Sequence, residues 1–184
     1  MAEIVVVSGM QGAGKSSVSV ELARRFERGA HLSADALQSM IVAGGVWPSA
    51  ESTDEQGVVH GEAAHQLRLR LRNACLLARS FQGAGITAVV DDIVIGSRID
   101  HLLEELHDVP FSFVMLTPRL EVVRGREAGR GSALHEVWGW MDAEIRQRTR
   151  RLGLWLDSSE QSVVATVDEI MRRFDEARVP ERSR

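Results

Sequence analysis

Cysteine is nearly absent from these 184 residues. Cys75 stands alone, so neither an intramolecular disulfide nor a cysteine-rich zinc site can form. It falls in an Ala/Leu-rich stretch with helical spacing, where a buried packing role is expected. The six histidines never take the H-E-x-x-H spacing. No apolar run approaches the length of a membrane span, so no membrane partner is expected. The first residues pass straight into a β-branched segment, leaving no room for a signal peptide, and a cytoplasmic location is expected. A strong excess of one charge is also missing: the formal net charge is -4 and the pI near 5.9. That argues against a dedicated nucleic-acid surface. No repeat or linker interrupts the chain. With 44% hydrophobic and 26% charged residues, one globular domain over residues 1–176 is expected, followed by a frayed tail at 177–184.

What is present is concentrated near the start. "VVVSGMQGAGKSS" runs from an apolar strand into a loop of glycines, a lysine and two serines. Gly9 to Ser16 reads G-x-x-x-x-G-K-S, the phosphate-cradling P-loop spacing. Phosphate oxygens need backbone N–H donors at close range, and Gly9, Gly12 and Gly14, with the small Ala13, keep side chains out of the way. Lys15 supplies a cation for the β- and γ-phosphates, and the Ser16 hydroxyl is placed to ligate Mg²⁺. Ser17 extends the cradle into a helix whose N-terminus points at the same anion.

Strand and helix patterns then alternate. Strands are expected at Ile4–Ser8, "AHLS", "ITAVVDD", "FSFVML" and "LWLD". Helices are expected at 16–28, 35–42, 58–82, around 99–106, from Thr117-Pro118, at 134–151 and at the C-terminus. "LRLRLR" alternates like a strand inside the third of these helices, yet Ala64, Leu67, Leu71, Ala74, Ala78 and Phe81 form a helical stripe. Ser158 and Gln161 have the spacing of a capping box for the last helix. The alternation implies an α/β fold, a parallel sheet with helices on both faces.

Three further groups carry chemistry. Asp91 and Asp92 end a buried strand, where an acid can hold Mg²⁺ through water; capping a turn is the alternative. Asp35 follows the short second strand and is either a general base for an attacking hydroxyl or the N-cap of the next helix. Arg124, Arg126 and Arg130 lie in or beside "RGREAGRG", whose glycines suit a hinged lid over about 125–134. Arg146, Arg148, Arg150 and Arg151 form another basic cluster that suits a solvated face.

"GxxxxGKSS", "SADAL", "GITAVVDDIVIG", "REAGRG" and "LDSS", in this order, resemble the chloramphenicol phosphotransferase family of P-loop small-molecule kinases. The resemblance spans most of the chain and is firmest over 86–131. It implies a single-domain P-loop fold with a five-stranded parallel sheet and a short lid, and transfer of the ATP γ-phosphate to a hydroxyl of a small molecule. It implies Asp35 as the base, Arg126 and Arg130 as lid arginines, and Asp91 and Asp92 as the strand-end acids. The segment 41–63 departs from the family's pattern, and so does the tryptophan-rich stretch with Trp138, Trp140 and Trp155. The expected function is therefore an ATP- and Mg²⁺-dependent kinase acting on a hydroxylated small molecule. Lys15, Asp35, Arg126 and Arg130 would be catalytic, the loop from Gly9 to Ser17 and Arg124 would hold nucleotide, and Ser16, Asp91 and Asp92 would face the metal. A nucleotide kinase, an NTP hydrolase and a non-enzymatic ATP-binding switch are the alternatives. Trp47 and the 41–63 segment are expected either to wall the acceptor or, for Trp47, to pack in the core.

Overall fold

The computed structural model describes residues 2–49, 51–54, 58–128 and 140–180. Its elements are β1 (Ile4–Gly9), α1 (Lys15–Arg24), β2 (Gly29–Ser33), α2 (Ala34–Ser39), α3 (Gly61–Gly83), β3 (Thr87–Asp91) and α4 (Arg98–Glu105). After them come β4 (Phe111–Leu116), α5 (Leu120–Ala128), a π-helical turn (Glu144–Arg148), β5 (Leu154–Leu156), α6 (Val163–Arg172), α7 (Phe174–Ala177) and β6 (Arg178–Val179).

Five strands pair in parallel in the order β2-β3-β1-β4-β5. Every residue of β1, β3 and β4 is buried, which requires cover on both faces and explains why these segments are apolar runs rather than alternating ones. α1 and α3 both lie against β3, with α6 beside α1 and α4 beside α3. Ile4, Leu22, Leu71, Ile99, Leu102 and Phe113 are among the fully buried side chains of the core. Cys75 joins them, and burial pushes its thiol up to about 12.

"LRLRLR" is helical throughout. In α3 the buried residues recur at 63, 66, 67, 70, 71, 74, 75 and 78, a helical period that no strand can present. The stripe contains two polar residues, Gln66 and the charged Arg70, each 5% exposed.

Local signals misplace several boundaries. Ser33, not Asp35, caps α2: its Oγ accepts from the Ala36 N–H at 3.4 Å. α5 begins at Leu120 rather than at Thr117-Pro118, because the Thr117 N–H is used by Leu156 O at 2.8 Å, continuing the sheet. Ser158 and Gln161 form no capping box; Ser162 caps α6, accepting from the Ala165 N–H at 3.2 Å. The helix expected at 134–151 is seen only from 140, and it ends in the π-helical turn. Residues 134–139, with Trp138, lie outside the described residues, as do Arg130 and most of the expected lid. In the basic cluster, Arg146 pairs with Asp142, Arg148 with Glu144, and Arg151 sits 4.8 Å over the Trp155 ring. Among the described residues no helix is long and apolar enough to cross a membrane.

The tail differs most. Residues 177–180 were expected to fray, yet Ala177 and Val179 are buried and β6 adds an antiparallel strand to β4, pairing Val179 with Phe111. The cause is tertiary: Phe174 meets Phe26 edge to face at 6.0 Å and draws the segment onto the body. Residues 181–184 lie outside the described set. Val179→Asp should therefore lower unfolding stability by about 2–3 kcal/mol, since it buries an unpaired carboxylate. Urea denaturation checks this; a frayed tail would leave the midpoint unchanged.

Candidate active site

The P-loop leaves the carboxyl end of β1, and the other candidate groups gather at the same edge. Asp35 follows β2, Asp91 and Asp92 end β3, and Ser158 follows β5. Parallel strands with crossover helices bring their carboxyl ends together, which is why residues 120 positions apart meet here.

The loop itself has the geometry that phosphate requires. Gly9 has φ +149°, and a Cβ there would stand 2.7 Å from the Leu116 carbonyl oxygen. Gly14, at φ +92°, is the N-cap of α1 and has no side chain to block the helix N-terminus. Lys15 donates to Met10 O at 3.0 Å, which folds its side chain back over the loop. Burial lowers its ammonium from the usual value, while the carboxylates of Asp91, Asp92 and Asp35 act in the opposite sense. All three acids thus lie within electrostatic reach of the loop lysine. Ser16 and Ser17 are exposed at the start of α1.

Beside the loop is a cavity of about 380 Å³, a size that suits a nucleoside. Its lining includes Gly12, Ala13 and Gly14, with Arg126, Ser158 and Gln161 opposite. Arg126 bridges the two sides, donating to Ala13 O at 3.4 Å and to Ser158 O at 3.2 Å. Ser158 Oγ and Gln161 Oε1 are buried here without a hydrogen-bond partner among the described residues. Such atoms are costly unless something fills the site. Bare glycine backbone, a lysine and unpartnered polar atoms all fit ATP. Arg124 is exposed on α5, and Arg130 lies outside the described residues.

The two strand-end aspartates differ. His31 Nε2 donates to Asp91 Oδ2 at 2.5 Å, and with Ser16 this carboxylate fits a divalent cation beside the phosphates. Asp92 does not fit that task as expected, because its oxygens are already engaged. Oδ1 accepts from Arg70 at 2.5 Å and from the Ile93 N–H at 2.7 Å, and Oδ2 accepts from Arg98 at 2.7 Å. Burial alone would raise the Asp92 carboxyl, but Arg98, Arg70 and the Ile93 N–H hold it below the ordinary carboxylate value. Among the described residues no group of three or more metal-ligating side chains forms.

Arg70 reaches further. Its other terminal nitrogen donates to Asp35 Oδ1 at 3.1 Å, and Asp35 remains 72% exposed. Sequence reasoning overlooked Arg70, Arg98, His31 and the cavity roles of Ser158 and Gln161. The one signal available for Arg70 was a charge sitting inside the apolar stripe of α3.

Two substitutions probe this geometry. Lys15→Ala removes a charge-assisted phosphate contact of roughly 1.5–3 kcal/mol, so ATP affinity should fall about ten- to a hundredfold with the fold intact. Titration calorimetry reads this, and unchanged affinity would refute phosphate binding at the loop. Asp92→Asn should cost about 3–5 kcal/mol of stability in metal-free buffer without nucleotide, because two buried guanidinium groups lose their counter-charge. Equal urea midpoints for variant and parent would show that this carboxylate is no structural anchor.

Several solved structures share the fold. A sugar kinase from Janibacter sp. HTCC2649 superposes with TM-score 0.66 at 20% identity, covering 96% of each chain. An APS kinase from Mycobacterium tuberculosis, solved with AMPPNP and APS, gives 0.67 at 18% identity over 95% of this chain and 98% of that one. A tunicamycin resistance protein from Deinococcus radiodurans gives 0.67 at 15% identity over 98% and 99%. At these identities the likeness shows the P-loop kinase fold. No curated protein matches the chain significantly. The family described as chloramphenicol phosphotransferase-like protein matches residues 2–175, and the chain belongs to that family.

Proposed function

We propose that this chain is an ATP-dependent kinase that phosphorylates a hydroxyl group of a small molecule, with Asp35 as general base. The family supports phosphotransfer from ATP to a small molecule. The observation that carries the finer reading is the Asp35 carboxylate. One oxygen is held by Arg70, the residue is largely exposed, and it lies within electrostatic reach of Lys15.

ATP supplies the γ-phosphoryl group. Around it, Lys15 and the backbone N–H groups from Gly9 to Ser17 hold the phosphate oxygens. Ser16 and Asp91 hold Mg²⁺, and Arg126 with Ser158 and Gln161 encloses the nucleoside side. By their places in the sequence, Arg124 is assigned to the nucleotide phosphates and Arg126 and Arg130 to charge on the transferring phosphoryl group. At the acceptor, Asp35 Oδ2 takes the hydroxyl proton as the oxygen bonds to the γ-phosphorus, while the bond from that phosphorus to the β,γ-bridging oxygen breaks and ADP leaves. A hydroxyl is a weak nucleophile at neutral pH, so a positioned carboxylate is where the chain gains most.

The acceptor end is assigned to the 41–63 segment, part of which two glutamines hold. Gln66, from α3, accepts from the Val46 N–H at 2.8 Å and donates to Gly44 O at 2.8 Å, while Gln38 donates to Val46 O at 3.0 Å. These bonds fix a loop on which Met40, Val42 and Trp47 are exposed, so Trp47 is no core residue. Apolar surface beside a carboxylate suits a hydroxylated acceptor with an apolar part. Reliance on ATP and a single buried thiol fit a cytoplasmic setting.

Asp35→Asn tests the reading. Because Ser33 caps α2, the substitution leaves the helix start untouched. Turnover should fall roughly 10²–10⁴-fold while ATP affinity and melting temperature hold. ATP consumption is measured against a panel of hydroxylated compounds that includes chloramphenicol and gluconate. Full transfer activity in the variant would remove Asp35 as the base.

A further inference from the structure

We propose that Arg70 is the positioning residue of this site: anchored on Asp92, it holds Asp35 with one oxygen bound and the other open to the acceptor. The inference rests on the reading of Asp35 as base.

The guanidinium group is planar, and its two terminal nitrogens stand at a fixed separation. One donates to Asp92 Oδ1 at 2.5 Å and the other to Asp35 Oδ1 at 3.1 Å. Asp92 cannot shift to follow, because Arg98 and the Ile93 N–H grip it from other sides, and Arg98 also donates to Ile93 O. The place of Asp35 is therefore referred through one rigid group to the end of β3, the strand next to the P-loop strand. Without that link, Asp35 is an exposed carboxylate on the first turn of a six-residue helix, free to rotate.

The buried pair with Asp92 accounts for the charge of Arg70 but not for its reach to Asp35. Its partner Asp35 lies largely in solvent, where an ion pair contributes little. Its Nε is buried without a hydrogen-bond partner, a cost that an apolar residue in the α3 stripe would avoid. The fork geometry has a use only if the distance between Asp92 and Asp35 matters. A lysine, being a point charge, meets one carboxylate or the other but does not span both.

The test is hydrolysis of γ-labelled ATP with Mg²⁺, in which water takes the acceptor's place. Parent, Asp35→Asn, Arg70→Gln, Arg70→Lys and the Asp35→Asn/Arg70→Gln double variant are compared. Arg70→Gln should lower the rate at saturating ATP tenfold or more, with KM for ATP and calorimetric ATP affinity within twofold of the parent. In the Asp35→Asn background it should cost almost nothing further, because the group it positions is gone. Arg70→Lys keeps the charge beside Asp92, guards against a folding failure of the glutamine variant, and should show the same loss of rate. Parent-like turnover in a folded Arg70→Lys or Arg70→Gln protein, with Asp35→Asn impaired, would overturn the inference and leave the base standing. Losses that multiply in the double variant would overturn it too. A parent rate no faster than that of ATP alone, or full activity in Asp35→Asn, would overturn the base and this inference together.

Discussion

A single buried carboxylate ties the functional edge of this protein together. Asp92 is enclosed at the end of β3, where an isolated charge would be forbidden, and two guanidinium groups make its ionised form the stable one. One comes from the middle of α3 and the other from the first turn of α4. Both helices are thereby fixed in register with the strand that follows the P-loop strand across the sheet. Two cations on one anion leave an excess of positive charge, and Asp35 balances it from the solvent side. Removing either guanidinium group leaves Asp92 short of a counter-charge, whereas the exposed Asp35 can be neutralised at little cost to the fold.

The site divides into a half legible in the sequence and a half that is not. The nucleotide half depends on residues adjacent in the chain. Gly9, Gly12, Gly14, Lys15 and Ser16 announce themselves because phosphate binding is written in backbone conformation over a few positions. The parallel sheet was equally legible, because strands buried on both faces must be continuous apolar runs. Arg70 and Arg98 were not, since their task exists only once α3 and α4 lie against β3. Ser158 and Gln161 were misread for a related reason. Their spacing satisfies a capping rule, but the chain turns at Ser162, which leaves the earlier pair lining the cavity beside the P-loop. Asp35 was open between cap and base, and the Ser33 cap closes the first option.

The division also separates what the fold shares from what belongs to this chain. The P-loop and the cavity beside it suit a phosphoryl donor whatever the acceptor. The proposed acceptor segment is pinned at Gly44 and Val46 by the side chains of Gln38 and Gln66. A loop held by side-chain amides can change in sequence without disturbing the sheet. This is the physical reason that a family match over 2–175 reads the reaction better than it reads the substrate.

The short strand at the end of the chain has an effect beyond its two residues. β5 covers only Val114 to Leu116 of β4, and β6 takes Phe111 and Ser112 on the remaining length. Two fragments thus close one side of β4 that a single full strand would ordinarily cover. Were the chain cut after Arg173, the start of β4 would present an unpaired, apolar ladder to its neighbours. An open edge of that kind recruits other chains by strand addition. The segment from Phe174 to Val179 therefore keeps the start of β4 paired, and its loss would open a place for strand addition at the end of the sheet opposite the P-loop.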